Sequence, residues 1–381
     1  MKKTILAIAL ASLTTLAGAQ EKLPTWLSQV KLSGYGMVQY QYSGQKDNKA
    51  NSFNLRMARV ALDGRIANDF YWKAQIQVNG NTSDLGSSPR LVDLFAEWQK
   101  YDYFRVKAGQ FKNPFTFENP MNPIDQGFMS YAQNVSALAG FSDRAGEHAS
   151  NGRDIGLQFQ GDFLKNGAGR NLLHYQIGVF NGQGINVKDV DEQKNIIGGL
   201  WVMPVKGMRI GAFGWTGSYA RKGWWNDGNP QTDPDTGEKN PAKVRKLQQR
   251  RYAFSAEYVV NDWTFRSEYI HSTGEAFAKR LQKTDDDNSK DCNLGSNGHE
   301  AQGVYALVLA PIVKHKFYGK VRYDMYQPTG DASKQKTFYE AGLNWNINKN
   351  FVLSGEYAHV HDRSLVHPDY DMVDVQVNFK F

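Results

Sequence analysis

From residue 31 to the last position, apolar and polar side chains alternate in short runs. In Tyr71-Trp72-Lys73-Ala74-Gln75-Ile76-Gln77-Val78, the Trp, Ala, Ile and Val fall on one face and Lys and the two Gln on the other. Successive side chains of a β-strand point to opposite sides, so this is a strand with one apolar and one polar surface. The last residues repeat the pattern, with Val373, Val375, Val377, Phe379 and Phe381 opposed by Asp374, Gln376, Asn378 and Lys380. Runs of this kind lie near 31–42, 52–66, 71–79, 90–99, 104–111, 154–161, 172–181, 195–204, 208–219, 251–260, 263–272, 301–310, 315–327, 336–346, 351–361 and 370–381. The pattern predicts sixteen strands. Their connections alternate in length. Asn68-Asp69, Tyr101-Asp102, Lys206-Gly207, Asn261-Asp262 and Asn348-Lys349 read as tight turns, whereas 79–89, 113–153, 182–194, 220–250 and 273–300 are long polar stretches.

A chain that stops on an apolar strand leaves an open edge unless that strand pairs with the first one. In lipid such closure is obligatory, because every backbone polar group needs a partner. The polar faces carry Lys73, Gln75 and Gln77, then Lys320, Arg322 and Asp324, then Asp374, Gln376 and Asn378. A barrel of about sixteen strands has a lumen too wide for side chains to fill, so the polar face lines water. The expected fold is all-β: a transmembrane antiparallel up-and-down β-barrel of about sixteen strands over 31–381. An even count returns both termini to the periplasmic side and makes the long stretches extracellular loops. At the amino terminus, Met1-Lys2-Lys3, an apolar run from Ile5 to Leu16 and Ala17-Gly18-Ala19 read as a signal peptide over 1–19, followed by a short lead-in over 20–30. The terminal Phe381 resembles the carboxy-terminal signal read by the barrel-assembly machinery. These features together imply export to a bacterial outer membrane, with outer-membrane lipid and lipopolysaccharide as surroundings.

Composition changes the picture in a few places. Aromatic residues make up 13% of the chain, including 19 Tyr and 9 Trp, enough for two interfacial girdles. The lone Cys292 allows no internal disulfide and reads as an inert thiol. A net charge of +7 fits anionic solutes or surfaces, and no nucleic-acid motif accompanies it. No cofactor motif stands out, since Gly182-Gln183-Gly184 lacks the third glycine of a dinucleotide fingerprint. Asp285-Asp286-Asp287 read as a solvated run, and His359, His361 and His367 as polar surface rather than a metal site. No triad spacing marks an enzyme. The expected role is a water-filled channel for small hydrophilic solutes. The alternatives are an adhesin or binding barrel, using the basic run Arg245 to Arg251 as a loop, and a barrel hydrolase.

Several short motifs then narrow the class. Gly109-Gln110-Phe111-Lys112-Asn113-Pro114-Phe115 with Glu118, Arg56-Met57-Ala58-Arg59, Asp93, Arg144-Ala145-Gly146, Phe180-Asn181-Gly182 and Arg322-Tyr323-Asp324 occur in order along most of the chain. This ordered set resembles the phosphate-selective porin O and P family. The resemblance implies a homotrimer of sixteen-stranded barrels whose long third loop, here 113–153, folds into the pore. It also implies passage of small anions such as phosphate. It places Arg56, Arg59 and Lys112 at the constriction, with Asp93 as the acid set among them, and the matching motifs and polar strand faces add Lys73, Lys107, Arg144, Lys320 and Arg322 to the expected pore lining. Met129-Ser130-Tyr131 departs from the Met-Glu-Arg frequent in the family, and Met57 stands in place of a further arginine. Asp63, Glu97, Glu257, Glu268 and Glu340 alternate with Arg65, Arg105, Lys107 and Arg266 on the polar faces. A lumen of mixed charge of this kind implies modest anion selectivity.

Overall fold

The computed structural model describes residues 30–79, 89–141, 151–277, 292–294 and 299–381. The expected signal peptide 1–19, the lead-in up to residue 29, Arg144 and Asp285 to Asp287 lie outside the described residues. The strands are β1 (Lys31–Ser43), β2 (Ala50–Ile66), β3 (Phe70–Gln77), β4 (Arg90–Tyr101), β5 (Phe104–Lys112), β6 (Arg153–Lys165), β7 (Asn171–Phe180) and β8 (Asn195–Val202). They continue as β9 (Met208–Gly223), β10 (Lys243–Val260), β11 (Trp263–Gly274), β12 (Glu300–Val313), β13 (Phe317–Gln327), β14 (Lys336–Asn346), β15 (Phe351–Asp362) and β16 (Asp369–Lys380). Each pairs antiparallel with its sequence neighbours, and β1 pairs with β16, closing the barrel. The sixteen-strand reading of the sequence is borne out.

Two elements differ from the sequence pattern. β9 runs to Gly223 and β10 begins at Lys243, in register from Lys243↔Gly223 to Tyr258↔Met208. The basic run Arg245 to Arg251, read as a loop, is therefore strand. It carries few apolar residues, so hydrophobic alternation is silent there and backbone pairing alone defines the element. The apolar outward face lower on β10 begins only at Tyr252 and Phe254, both exposed.

The outward surface carries aromatic pairs in two bands. Near the short turns stand Trp98 with Tyr101, Trp263 with Phe265, and Phe317 with Trp345. Nearer the long loops stand Tyr40 with Phe53, Tyr252 with Tyr269, and Tyr323 with Tyr339. Aliphatic side chains such as Leu94, Leu200 and Val321 are exposed on the same surface. An apolar exterior between aromatic girdles fits a barrel solvated by lipid.

The seam between first and last strands rests on glycine. Gly34 N donates to Phe381 O at 3.1 Å, and Phe381 N donates to Gly34 O at 3.0 Å. The Phe379 and Phe381 rings cover the space that side chains at Gly36 and Gly34 would fill, and a β-carbon at Gly34 would lie 2.7 Å from the Arg59 carbonyl oxygen. Gly34→Val should therefore cost roughly 1–3 kcal/mol as an overpacked site. The measurement is the temperature at which the folded barrel loses its compact mobility on a gel. A lower temperature than for the unmodified protein is expected, and an unchanged one would mean that the seam does not depend on this contact.

Candidate functional site

The segment that follows β5 does not stay at the rim. Residues 113–141 pass into the barrel and include one short helix, α1 (Gln133–Leu138). The entry is shaped by Gly109, whose φ of +129° suits glycine alone, and whose missing side chain would collide with the Leu94 carbonyl. On the β5–β9 side the loop packs on rings. Phe115 meets Trp215 at 5.6 Å between centroids, and Phe117 meets Phe213 at 5.4 Å and Trp201 at 5.5 Å. Phe111, Phe180 and Ile197 join this buried cluster, which continues past Ala253, Ile270, Tyr305 and Leu307 on β10–β12 to Val135 and Leu138 of α1. The inward face is therefore not polar throughout. Where the loop covers it, the wall is a conventional hydrophobic core.

On the β10–β15 side the loop backbone is held by charged side chains. Phe117 N and Glu118 N donate to Glu268 Oε1 at 2.6 and 3.0 Å, Gln133 N donates to Asp324 Oδ2 at 2.9 Å, and Met129 N donates to Glu356 Oε1 at 2.7 Å. In the other sense, Arg251 donates to Leu138 O at 2.8 Å, Arg266 to Gln126 O at 3.2 Å, Lys320 to Gly127 O at 3.2 Å and Arg322 to Ser130 O at 2.8 Å. Lys320 also pairs with Glu356 at 2.5 Å and Arg322 with Glu340 at 2.5 Å. A loop without its own regular structure exposes many unpaired amides and carbonyls, and these ions satisfy them. The expected pore-lining assignment of Lys320 and Arg322 is corrected accordingly: both are buried beneath the loop. Alternation gave their face but not what covers it.

The wall formed by β2–β6 carries the other expected residues, of which Arg56 and Lys73 are partly exposed and Arg59 and Asp93 are buried. Arg56 Nη1 donates to Gln376 Oε1 at 3.2 Å. Arg59 donates through Nε and Nη2 to Gln77 Oε1, both at 3.1 Å, while its Nη1 is buried without a partner. These two arginines are three residues apart, a spacing that would put them on opposite faces of a regular strand. The register of β1 with β2 jumps between Met37↔Met57 and Val38↔Leu55, leaving Arg56 unpaired as a β-bulge and turning it inward beside Arg59. Lys73 lies 3.5 Å from Asp93, which also receives Arg153 Nε at 2.5 Å and Arg153 Nη2 at 3.1 Å. Arg153 opens β6, in register with Lys112, and the sequence reading passed over it because that strand was expected to start one residue later. Arg59 stands within electrostatic reach of Arg153, Tyr131 and Asp93.

Lys112 is at this junction but its ammonium is committed. It donates to Asn119 O at 2.6 Å, Met121 O at 2.7 Å and Tyr131 Oη at 2.8 Å, with the Tyr131 ring 5.0 Å away. Three donors meet three acceptors of the loop, so Lys112 fastens the loop rather than presenting a free charge. Lys107 sits apart, 3.6 Å from Glu97 and over the Phe95 ring. The structure thus brings Arg56, Arg59, Lys73, Asp93 and Lys112 together. Lys107 is separated from them, and Lys320 and Arg322 are buried beneath the loop, with Arg322 within electrostatic reach of Arg56.

Residues 32–179 match the family model of phosphate-selective porin O and P, bearing out the resemblance read from the motifs. No curated protein matches the chain. Among solved structures, an anion-selective porin from Comamonas acidovorans aligns over 92% of this chain and 99% of its own, with 11% identity and a TM-score of 0.62. Salmonella typhi OmpF in complex with daunomycin aligns over 92% and 97%, with 13% identity and a TM-score of 0.60. A trimer form of OmpT, an outer membrane protein of Vibrio cholerae, aligns over 92% and 99%, with 9% identity and a TM-score of 0.56. At such identities the shared property is the fold. The family match is to porins, and the shared fold is that of outer-membrane channels.

Lys112→Met keeps the length of the side chain and removes its three tethers. Hydrogen bonds from a charged donor contribute roughly 1.5–3 kcal/mol each, so the loop root should loosen. Single-channel recording should show a noisier open state of higher conductance. A quiet trace at unchanged conductance would show that the tethers are dispensable.

Proposed function

We propose that this chain forms a water-filled outer-membrane channel for passive diffusion of small hydrophilic anions, phosphate or solutes of similar chemistry. The observation that carries the reading is the depth order within the ion pairs of the uncovered lumen. The side chains of Lys73 and Asp93 are 22% and 6% exposed, those of Lys107 and Glu97 are 19% and 6%, and those of Arg209 and Glu257 are 28% and 10%. In each of these three pairs the base reaches toward water and the acid lies behind it, where Asp93 and Glu257 also pair with the more deeply buried Arg153 and Arg266. A passing ion therefore meets a cationic surface, although the sequence counts both signs. Arg and Lys side chains placed this way lower the cost of stripping water from an anion, and guanidinium groups match phosphate oxygens in shape. The pairing acids keep such a site from holding its cargo too firmly.

Two of the five acids that made the lumen look mixed are elsewhere. Glu268 and Glu340 serve the loop and its wall. We place Arg56 and Lys73 at the selective narrowing, backed by the buried Arg59, Arg153 and Asp93, and Lys107 and Arg209 on the approach. A homotrimer is part of the same proposal, supported by the trimeric form of a protein of like fold.

Charge is felt over about 8 Å at physiological salt, so only side chains near the narrowing govern selectivity. Replacing Arg56 and Lys73 together by Gln should lower the ratio of anion to cation permeability several-fold, read as a shift of reversal potential across a salt gradient. Lys239→Gln, on an exposed loop, should leave it unchanged. Cation preference in the unmodified channel would overturn the anion reading.

A further inference from the structure

The fastening of the third loop contains more acid than the nearby bases neutralise. Glu118 on the loop, Glu268 on β11 and Tyr305 on β12 are 1%, 0% and 0% exposed. Each has an oxygen with no hydrogen-bond partner: Glu118 Oε2, Glu268 Oε2 and Tyr305 Oη. Their other carboxylate oxygens are used, Glu268 Oε1 by Phe117 N and Glu118 N, and Glu118 Oε1 by Ala132 N at 3.0 Å. The two carboxyl groups and the phenol lie within electrostatic reach of one another.

The surrounding charges do not resolve the excess. Arg266 on β11 is within reach of both Glu118 and Tyr305, yet donates to Glu257 Oε2 at 2.7 Å and to Gln126 O. Glu257 is shared further with Arg209 at 2.8 Å. Arg322 on β13 is committed to Glu340 and Ser130 O. Asp324, also on β13, adds a third carboxyl group near Glu118, with its Oδ1 lacking a donor. From the helix side, Asn134 of α1 spends its amide on the Glu268 and Gly303 carbonyls. Five carboxyl groups thus face three guanidiniums, and Glu118, Glu268 and Asp324 sit in the dehydrated part of this set. An ionised, unpaired carboxylate costs several kcal/mol to keep there.

Proton counting gives the same result. With both glutamates ionised, three orphan oxygens share a single donor hydrogen, that of the tyrosine. One further proton lets a carboxyl O–H and the phenol O–H serve all three. We propose that the loop is latched by a proton on Glu268, beside Glu118 and Tyr305, and that its departure to water at alkaline pH unlatches the loop from β11 and β12. Like charge between the two carboxylates then pushes Glu118, and the loop backbone with it, away from the wall.

The test is single-channel recording on the full chain between about pH 6 and about pH 10, since buried glutamates can hold protons to ~8–9. The unmodified channel should pass from a quiet to a noisy open state as pH rises. Glu268→Gln, which mimics the protonated group, should remain quiet throughout. An identical pH response in both proteins would overturn the proposal, as would noise in Glu268→Gln at neutral pH. Should Glu268→Gln fail to assemble, amide hydrogen exchange of residues 113–140 in the unmodified protein decides the matter. After correction for intrinsic rates, alkaline pH should deprotect this segment selectively, and uniform behaviour across the barrel would refute the latch. None of these readouts depends on which solute crosses.

Discussion

The structure depends on closure of one backbone hydrogen-bond ladder. Every strand pairs on both sides, and the circle is completed where the last residue bonds to Gly34. Once that ring exists, the pleat divides all side chains into an outer and an inner set, and the barrel has an interior too broad to fill with its own wall. Everything functional follows from how that interior is partly filled.

The third loop fills it by two different means. Toward β5–β9 it is a small hydrophobic core, built from Phe115, Phe117, Phe213 and Trp215, and its stability comes from area removed from water. Toward β10–β15 it is an ionic lattice, in which Glu268, Asp324, Glu356, Arg251, Arg266, Lys320 and Arg322 take up backbone groups that no helix or sheet pairs. The first fixes where the loop lies, and the second fixes its local course. The remaining side, where Lys73 is partly exposed, is the passage proposed above.

Much of this was legible in the chain. Alternation located all sixteen strands, because each crosses an environment that is apolar outside and wet inside. It failed at the start of β10, from Lys243 to Arg251, where both faces are polar and the signal vanishes. The site was harder to read. Face assignment placed Lys320 and Arg322 inward correctly, but burial by a segment two hundred residues away in sequence leaves no local trace. Arg153 was missed for a simpler reason, that it lies on a boundary. The inward aromatics were hidden as well, since Phe213 and Trp215 alternate with Gly and Ala, and small outward residues mask which face is the apolar one.

The bulge in β2 makes the charge of the passage a matter of counting. One supernumerary residue is what lets Arg56 and Arg59 share a face. Removing it in register, or inserting a compensating residue nearby, would leave strand, barrel and composition almost intact while sending one guanidinium toward hydrocarbon, where a basic side chain costs about 2–4 kcal/mol at mid-depth. A strand of this kind carries something like a reading frame, in which phase rather than residue identity determines whether a charge greets solute or lipid. Drift by substitution is thereby tolerated more readily along β2 than drift by single-residue indels.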